Sequence, residues 1–183
     1  MEEDKIVFKL CSTFLSYPEN SWVHNQEMKE FITSFENRYA KKRFQDFLSF
    51  VESITFEDLC NRYVKQFDFN DQSTLYLTYG VFGDNRERGL GFVKLKMEYA
   101  KAGFFLKEEE LPDYLPLILE FASVADEHIV RKLFAIHKKA MENLLQSLLK
   151  EESPYALIIE ICLQSFSGLF ELESNEIEKG NAS

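Results

Sequence analysis

The sequence predicts an all-α, single-domain helical bundle, and three observations carry that expectation. Apolar residues recur at i, i+3, i+4 and i+7 along almost the whole chain, and no stretch shows strict alternation. Only 7 Gly and 4 Pro punctuate 183 residues, too few for a loop-rich or fibrous architecture. With 18 Phe and 45% hydrophobic residues the chain is too apolar for disorder, and at this length it can bury roughly 70% of its unfolded surface in one core.

Taken in order, Ile6, Val7, Leu10, Cys11, Phe14 and Leu15 form a first stripe that ends at Tyr17-Pro18. A second helix is expected from about Ser21 to Ser34. A third carries Phe44, Phe47, Leu48 and Val51, and Thr55 with Asp58 resembles a capping box that opens a fourth. Polar Asp68 to Gln72 breaks the pattern, and another helix is expected to start near Ser73. Asp84 to Glu87 has N-cap spacing for a helix over 85–102, stopped by Gly103. Pro112 is expected to lead a short helix through Phe121, and Asp126 to cap the longest one, with His137 on its apolar stripe. Pro154 suits the first turn of a last helix that fades after Phe170. The packed domain is therefore expected over residues 1–170, followed by an acidic tail, 171–183, without ordered structure.

The formal net charge is −10. That argues against nucleic acid and against insertion into or binding to an anionic membrane, because phosphates reward clustered Lys and Arg. A basic partner would be attracted. Met1-Glu2-Glu3-Asp4 has neither the basic nor the apolar region of a signal peptide, and no segment reaches the roughly 18 apolar residues of a membrane span. The expected location is cytoplasmic. Cys11, Cys60 and Cys162 sit at helical spacing among apolar residues and read as small buried hydrophobes.

Familiar chemistry is missing from the sequence. His24, His128 and His137 make no His-Glu-x-x-His or Glu-x-x-His ligand set. Asp68-Phe69-Asn70-Asp71 starts like a calcium loop, but Gln72 and Ser73 do not continue it. Walker, dinucleotide and nucleophile-elbow signatures are lacking, as is an acidic metal-binding cluster, so an enzyme is not expected.

Two constellations remain. In Leu75 to Gly89, Tyr76, Tyr79, Gly80 and Gly83 would fall on one helical face, setting aromatic rings beside residues without side chains. That face suits either close approach of another backbone or packing within the domain. Arg86 and Arg88 oppose the dipole at a helix start, and Asp84 and Glu87 can offset them. In Glu110 to Phe121, Asp113 and Glu120 are seven residues apart. On one helix they would share a face about 10 Å apart, long for a glycosidase pair but suited to two cations of a ligand. The competing reading is a helix cap plus a solvated glutamate.

These two segments resemble the assembly chaperones of respiratory nitrate reductase, the NarJ type (delta subunit) of the TorD/DmsD group of redox-enzyme maturation proteins. The likeness is nearly continuous from Tyr63 to Phe121, through Tyr63-Val64-Lys65-Gln66-Phe67-Asp68, Leu75 to Gly89, Tyr99 to Phe104 and Glu110 to Phe121. Leu15-Ser16-Tyr17-Pro18 fits more weakly. The combination of Gly-Asp-x-Arg-x-Arg-Gly, here Gly83 to Gly89, with Leu-Pro-Asp-aromatic-Leu-Pro is more specific than either piece. The group's Asp-His motif falls on Asp113-Tyr114, so tyrosine stands where many members have histidine.

The resemblance implies a non-catalytic, all-helical chaperone that holds no cofactor stably. Its implied partner is the N-terminal leader of the molybdenum-containing catalytic (alpha) subunit. Binding would delay membrane docking while the molybdenum cofactor enters that subunit. Leaders of this kind are implied to be basic and amphipathic, which suits a helix-in-groove mode with acidic rims. On this reading Tyr76, Tyr79, Phe82, Tyr114 and Leu117 meet apolar side chains of the leader. Asp113 and Glu120 meet its cations, and Gly83, Asp84, Arg86 and Arg88 belong to the same binding surface. The alternative is a general acidic helical module for some other basic segment, which composition alone does not separate from the chaperone.

Overall fold

The computed structural model describes residues 2–79, 86–106 and 110–180, with side chains left undescribed at 2, 86–88 and 169–180. Among these residues the chain forms eight α-helices and no β-strand. They are α1 (Glu2–Leu15), α2 (Gln26–Thr33), α3 (Arg38–Glu52), α4 (Phe56–Tyr63), α5 (Arg86–Lys101), α6 (Leu115–Ala122), α7 (Glu127–Lys150) and α8 (Ala156–Gly180). A π-helical turn, Val64–Asp68, continues α4. The all-α expectation holds.

Local chemistry sets most of the helix ends. Asn25 and Asn37 cap α2 and α3 by accepting from the amides of Met28 and Ala40, each at 3.0 Å. Thr55 accepts from the amide of Asp58 at 3.1 Å and donates its hydroxyl to that carboxylate at 2.8 Å, so the predicted cap of α4 is present. Gly103 takes φ +76 after α5. Phe104 N–H then reaches the Tyr99 carbonyl and Gly103 N–H that of Ala100, the Schellman pattern that a left-handed glycine permits. The second helix starts at Gln26 rather than Ser21, because residues 20–24 turn and His24 adopts φ 68. α8 runs on to Gly180, past the end expected near Phe170. Its helical backbone continues through glutamates, good helix formers, after the apolar stripe has ended.

The core joins α1, α3, α6, α7 and α8. α1 packs against α6 and α8, and α8 also packs against α3 and α7. Phe8, Phe14, Phe44, Phe47, Phe121, Tyr155 and Phe166 are all buried in it. Cys11 and Cys162 are buried as expected, whereas Cys60 is only half-buried. The break after the π turn is tied down by side chains. Gln66 donates to Ser73 Oγ and to Glu151, each at 2.8 Å, and Asn70 donates to Glu151 at 2.9 Å. The loop thus hangs from the end of α7.

Candidate functional site

Ser73 to Thr78 is not a helix. It is an extended strap that crosses the segment before α6. Tyr76 and Tyr114 form an isolated antiparallel bridge. Leu77 N–H donates to the Asp113 carbonyl at 3.1 Å, and Leu115 N–H to the Leu75 carbonyl at 2.9 Å. Helical periodicity missed this because Leu75 and Leu77, two apart, both bury.

Asp113 anchors the crossing. Its carboxylate is fully buried and accepts from Thr78 twice, from the amide at 3.2 Å and the hydroxyl at 2.5 Å. Two donors from one residue clamp the strap and compensate part of the desolvation of the carboxylate. Tyr99 donates to the carbonyl of Pro112 at 2.8 Å, fixing the same turn from α5. The expectation that Asp113 and Glu120 share an exposed helical face is therefore overturned. α6 begins at Leu115 with Pro116 in its first turn, so Asp113 lies before the helix and points inward. Glu120 is partly exposed and pairs with Lys9 of α1. Leu117, expected to contact a partner, is buried in the core.

Above the clamp lies a cluster of tyrosines. Tyr76 and Tyr114 approach to 5.2 Å between ring centroids, and Tyr17 meets Tyr63 edge-on at 5.5 Å. Tyr63 donates to the Leu15 carbonyl at 2.9 Å, and its oxygen lies 3.1 Å from that of Tyr114. Tyr63 has one hydroxyl proton, committed to a carbonyl that can only accept, so Tyr114 donates to Tyr63. These rings, with Phe67, Leu75 and the exposed Asp68, line a depression of about 170 Å³. Burial pushes the Tyr63 and Tyr114 hydroxyls up from the usual phenol range, and the nearby Asp68 carboxylate adds to both. Tyr17 is raised chiefly by its contact with Cys60, with Asp68 contributing. Tyr76 is 38% exposed and Tyr17 51%. Tyr76 also borders a wider cleft of about 690 Å³ between the strap and the end of α7, lined by Asp71, Gln72, Asn143, Ser147 and Glu151 among others.

Between them, α5 and α7 leave an apolar groove of about 340 Å³ lined by Leu95, Met97, Ile129, Leu133, Ile136 and His137. Thr78 reaches into it as well. His137 is buried, as its stripe predicts, and burial lowers its pKa to about 4 despite the opposing field of Asp113. The clamp thus adjoins both the tyrosine surface and the groove.

Of the residues expected to bind a partner, the fold joins Tyr76 and Tyr114 directly and places half-buried Tyr79 in the turn that follows Tyr76. Phe82, Gly83 and Asp84 lie outside the described residues. Arg86 and Arg88 have helical backbone in the first turn of α5, and their side chains lie outside the description. Sequence reasoning singled out neither Tyr17 nor Asp68 as site residues, although both lie in segments that resemble the chaperone group. Among the described residues no group of three or more His, Cys, Asp or Glu could hold a metal ion. No helix among them is long and apolar enough to cross a membrane.

Residues 33–156 match the family model described as nitrate reductase delta subunit. The chain is 35% identical over 173 residues to a Bacillus subtilis protein named probable nitrate reductase molybdenum cofactor assembly chaperone NarJ, covering 94% of each chain. It is 32% identical over 160 residues to the Escherichia coli nitrate reductase molybdenum cofactor assembly chaperone NarJ, covering 85% of this chain and 67% of the other. A Mycobacterium tuberculosis nitrate reductase-like protein, NarX, is 29% identical over 153 residues. That alignment takes in 82% of this chain but only 23% of the mycobacterial one.

Proposed function

The chain belongs to the nitrate reductase delta subunit family, and on that premise we propose that it is a cytoplasmic chaperone rather than an enzyme. It binds the N-terminal leader of the nitrate reductase catalytic (alpha) subunit and keeps that subunit competent for molybdenum cofactor insertion before membrane docking. The cofactor is cargo of the partner, not a resident of this chain.

The observation that carries the leader-binding reading is the pair formed by exposed Tyr76 and half-buried Tyr114, set on a backbone crossing that Asp113 clamps. Rings fixed by a rigid support give up little conformational freedom on binding, so their contact area contributes more of its full value to affinity. A cleft of about 690 Å³ borders Tyr76, and a surface with net charge −10 draws a basic segment in. Tyr114 cannot serve as a proton switch near neutral pH, since burial moves its hydroxyl further above the phenol range. Its role on this reading is contact and hydrogen bonding.

The test is recovery of the tagged chain from anaerobic, nitrate-respiring cells, followed by identification of the co-eluting protein. The catalytic subunit should co-elute, and deleting the chain should leave that subunit short of molybdenum cofactor. Normal cofactor content in the deletion strain would defeat the proposal.

A further inference from the structure

We propose that the depression framed by Tyr17, Tyr63, Tyr76, Tyr114 and Asp68 is a subsite for one arginine side chain of a bound basic peptide. This rests on the leader-binding reading above and names what that surface selects.

Size comes first. About 170 Å³ is the room of five or six waters at roughly 30 Å³ each, too small for a helix and suited to one planar head group with part of its stem. The walls come next. Tyr17 and Tyr76 are half-exposed at the mouth, while Tyr63 and Tyr114 are held behind them by their hydroxyl chain to Leu15. Faces of such rings carry negative potential and attract a cation. A guanidinium, flat and weakly hydrated, stacks there better than a compact ammonium.

The polar groups favour the same ligand. Asp68 puts a carboxylate at the rim, and no Lys or Arg among the described residues pairs with it. The nearest cations in sequence, Arg62 and Lys65, line a separate depression with Ile54, Asp58 and Asn61. Because Tyr114 spends its proton on Tyr63, its oxygen faces a ligand as an acceptor. A guanidinium brings five donors and no acceptor, which fits a carboxylate and a phenolic lone pair. An anion would meet Asp68 and be repelled.

The test has two arms. In the first, N-acetyl-arginine amide is titrated into the full chain carrying ring-labelled tyrosine, read by NMR. Saturable shifts of the Tyr17, Tyr76 and Tyr114 rings are expected, and they should be absent with the neutral isostere N-acetyl-citrulline amide. Equal responses to both probes, or none, would overturn the subsite.

In the second arm, a synthetic peptide of the catalytic subunit's N-terminal segment is used, with each arginine replaced in turn by citrulline. One replacement should weaken binding about tenfold, and Asp68→Asn should weaken it about as much. In Asp68→Asn that same replacement should then cost little more. Tyr17→Phe, which keeps the ring, should stay within about twofold, while Tyr17→Ala should not. Small, additive losses at every arginine, insensitive to Asp68, would overturn the subsite while leaving leader binding intact. A wild-type peptide that does not bind at all would defeat the leader reading, and the amide titration would still decide the subsite.

Discussion

The tyrosine surface and the α5–α7 groove both adjoin one buried clamp, Thr78–Asp113, and they are built differently. At the tyrosine surface the rings are fixed from behind by hydroxyl bonds and a backbone bridge, and an acidic group stands at the edge. The groove is lined by Leu95, Met97, Ile129, Leu133 and Ile136 together with Thr78 and His137, and Lys94, Lys132 and Glu98 line it too, the last two paired with each other. Leu90, Val93, Met97 and Ile136 stand exposed on its two helices. Both regions offer apolar area, but the groove's carboxylate, Glu98, is already paired with Lys101 and Lys132. Asp68 at the tyrosine surface, by contrast, pairs with no Lys or Arg among the described residues and can tell a cationic peptide from any greasy one. Area supplies adhesion, and placed polar groups supply selection.

Breaking the clamp should have the largest effect, since it underlies both regions. Asp113→Ala removes the carboxylate that the buried Thr78 amide and hydroxyl donate to and leaves a void, which should cost about 4 kcal/mol in denaturant unfolding. Acid should act next, through His137 at the floor of the groove. Its folded pKa of about 4 lies below the usual 6.5, so the unfolded chain binds the extra proton between those values. Stability should therefore fall as pH drops from 6.5 towards 4, by about 2 kcal/mol at pH 5 from this group. A His137→Leu variant should show a correspondingly flatter pH profile in the same unfolding assay. Tyr99→Phe removes one bond to the Pro112 carbonyl and should lose about 1 kcal/mol. Glu120→Gln breaks only the half-exposed pair with Lys9 and should stay within about 0.5 kcal/mol, with leader affinity little changed.

The same contrast explains what the sequence reveals and what it hides. Helices α1, α3, α4 and α7 are legible because each buries its own stripe, and α3 and α4 are also capped by their own neighbours, as with Thr55 and Asp58. His137 is legible as a buried residue for that reason. The strap is not, because Leu75 to Thr78 take their geometry from residues 35 or more positions away. A stretch such as Leu75-Tyr76-Leu77-Thr78-Tyr79 reads equally well as helix or strand until its partner is known. The Asp113–Glu120 pair misleads for a related reason: the helix starts only at Leu115, two residues after Asp113, with Pro116 in its first turn, and spacing arguments hold only within one element. Tyr76 and Tyr114 are the two predicted contacts that the fold joins, and their motifs marked both segments. Tyr17 and Asp68 complete the depression from the ends of other elements, beyond the reach of any local pattern.

The most direct measurement is titration calorimetry of the catalytic subunit's N-terminal peptide against three forms of the chain: wild type, Tyr76→Ala and Met97→Ser. Tyr76 and Met97 are both exposed, one on each region, so neither change should disturb the core. Loss of an aromatic anchor at the tyrosine surface should weaken binding at least tenfold, or about 1.4 kcal/mol, while Met97→Ser stays within about twofold. Wild-type affinity in Tyr76→Ala together with a loss in Met97→Ser would move the leader to the α5–α7 groove and contradict the account.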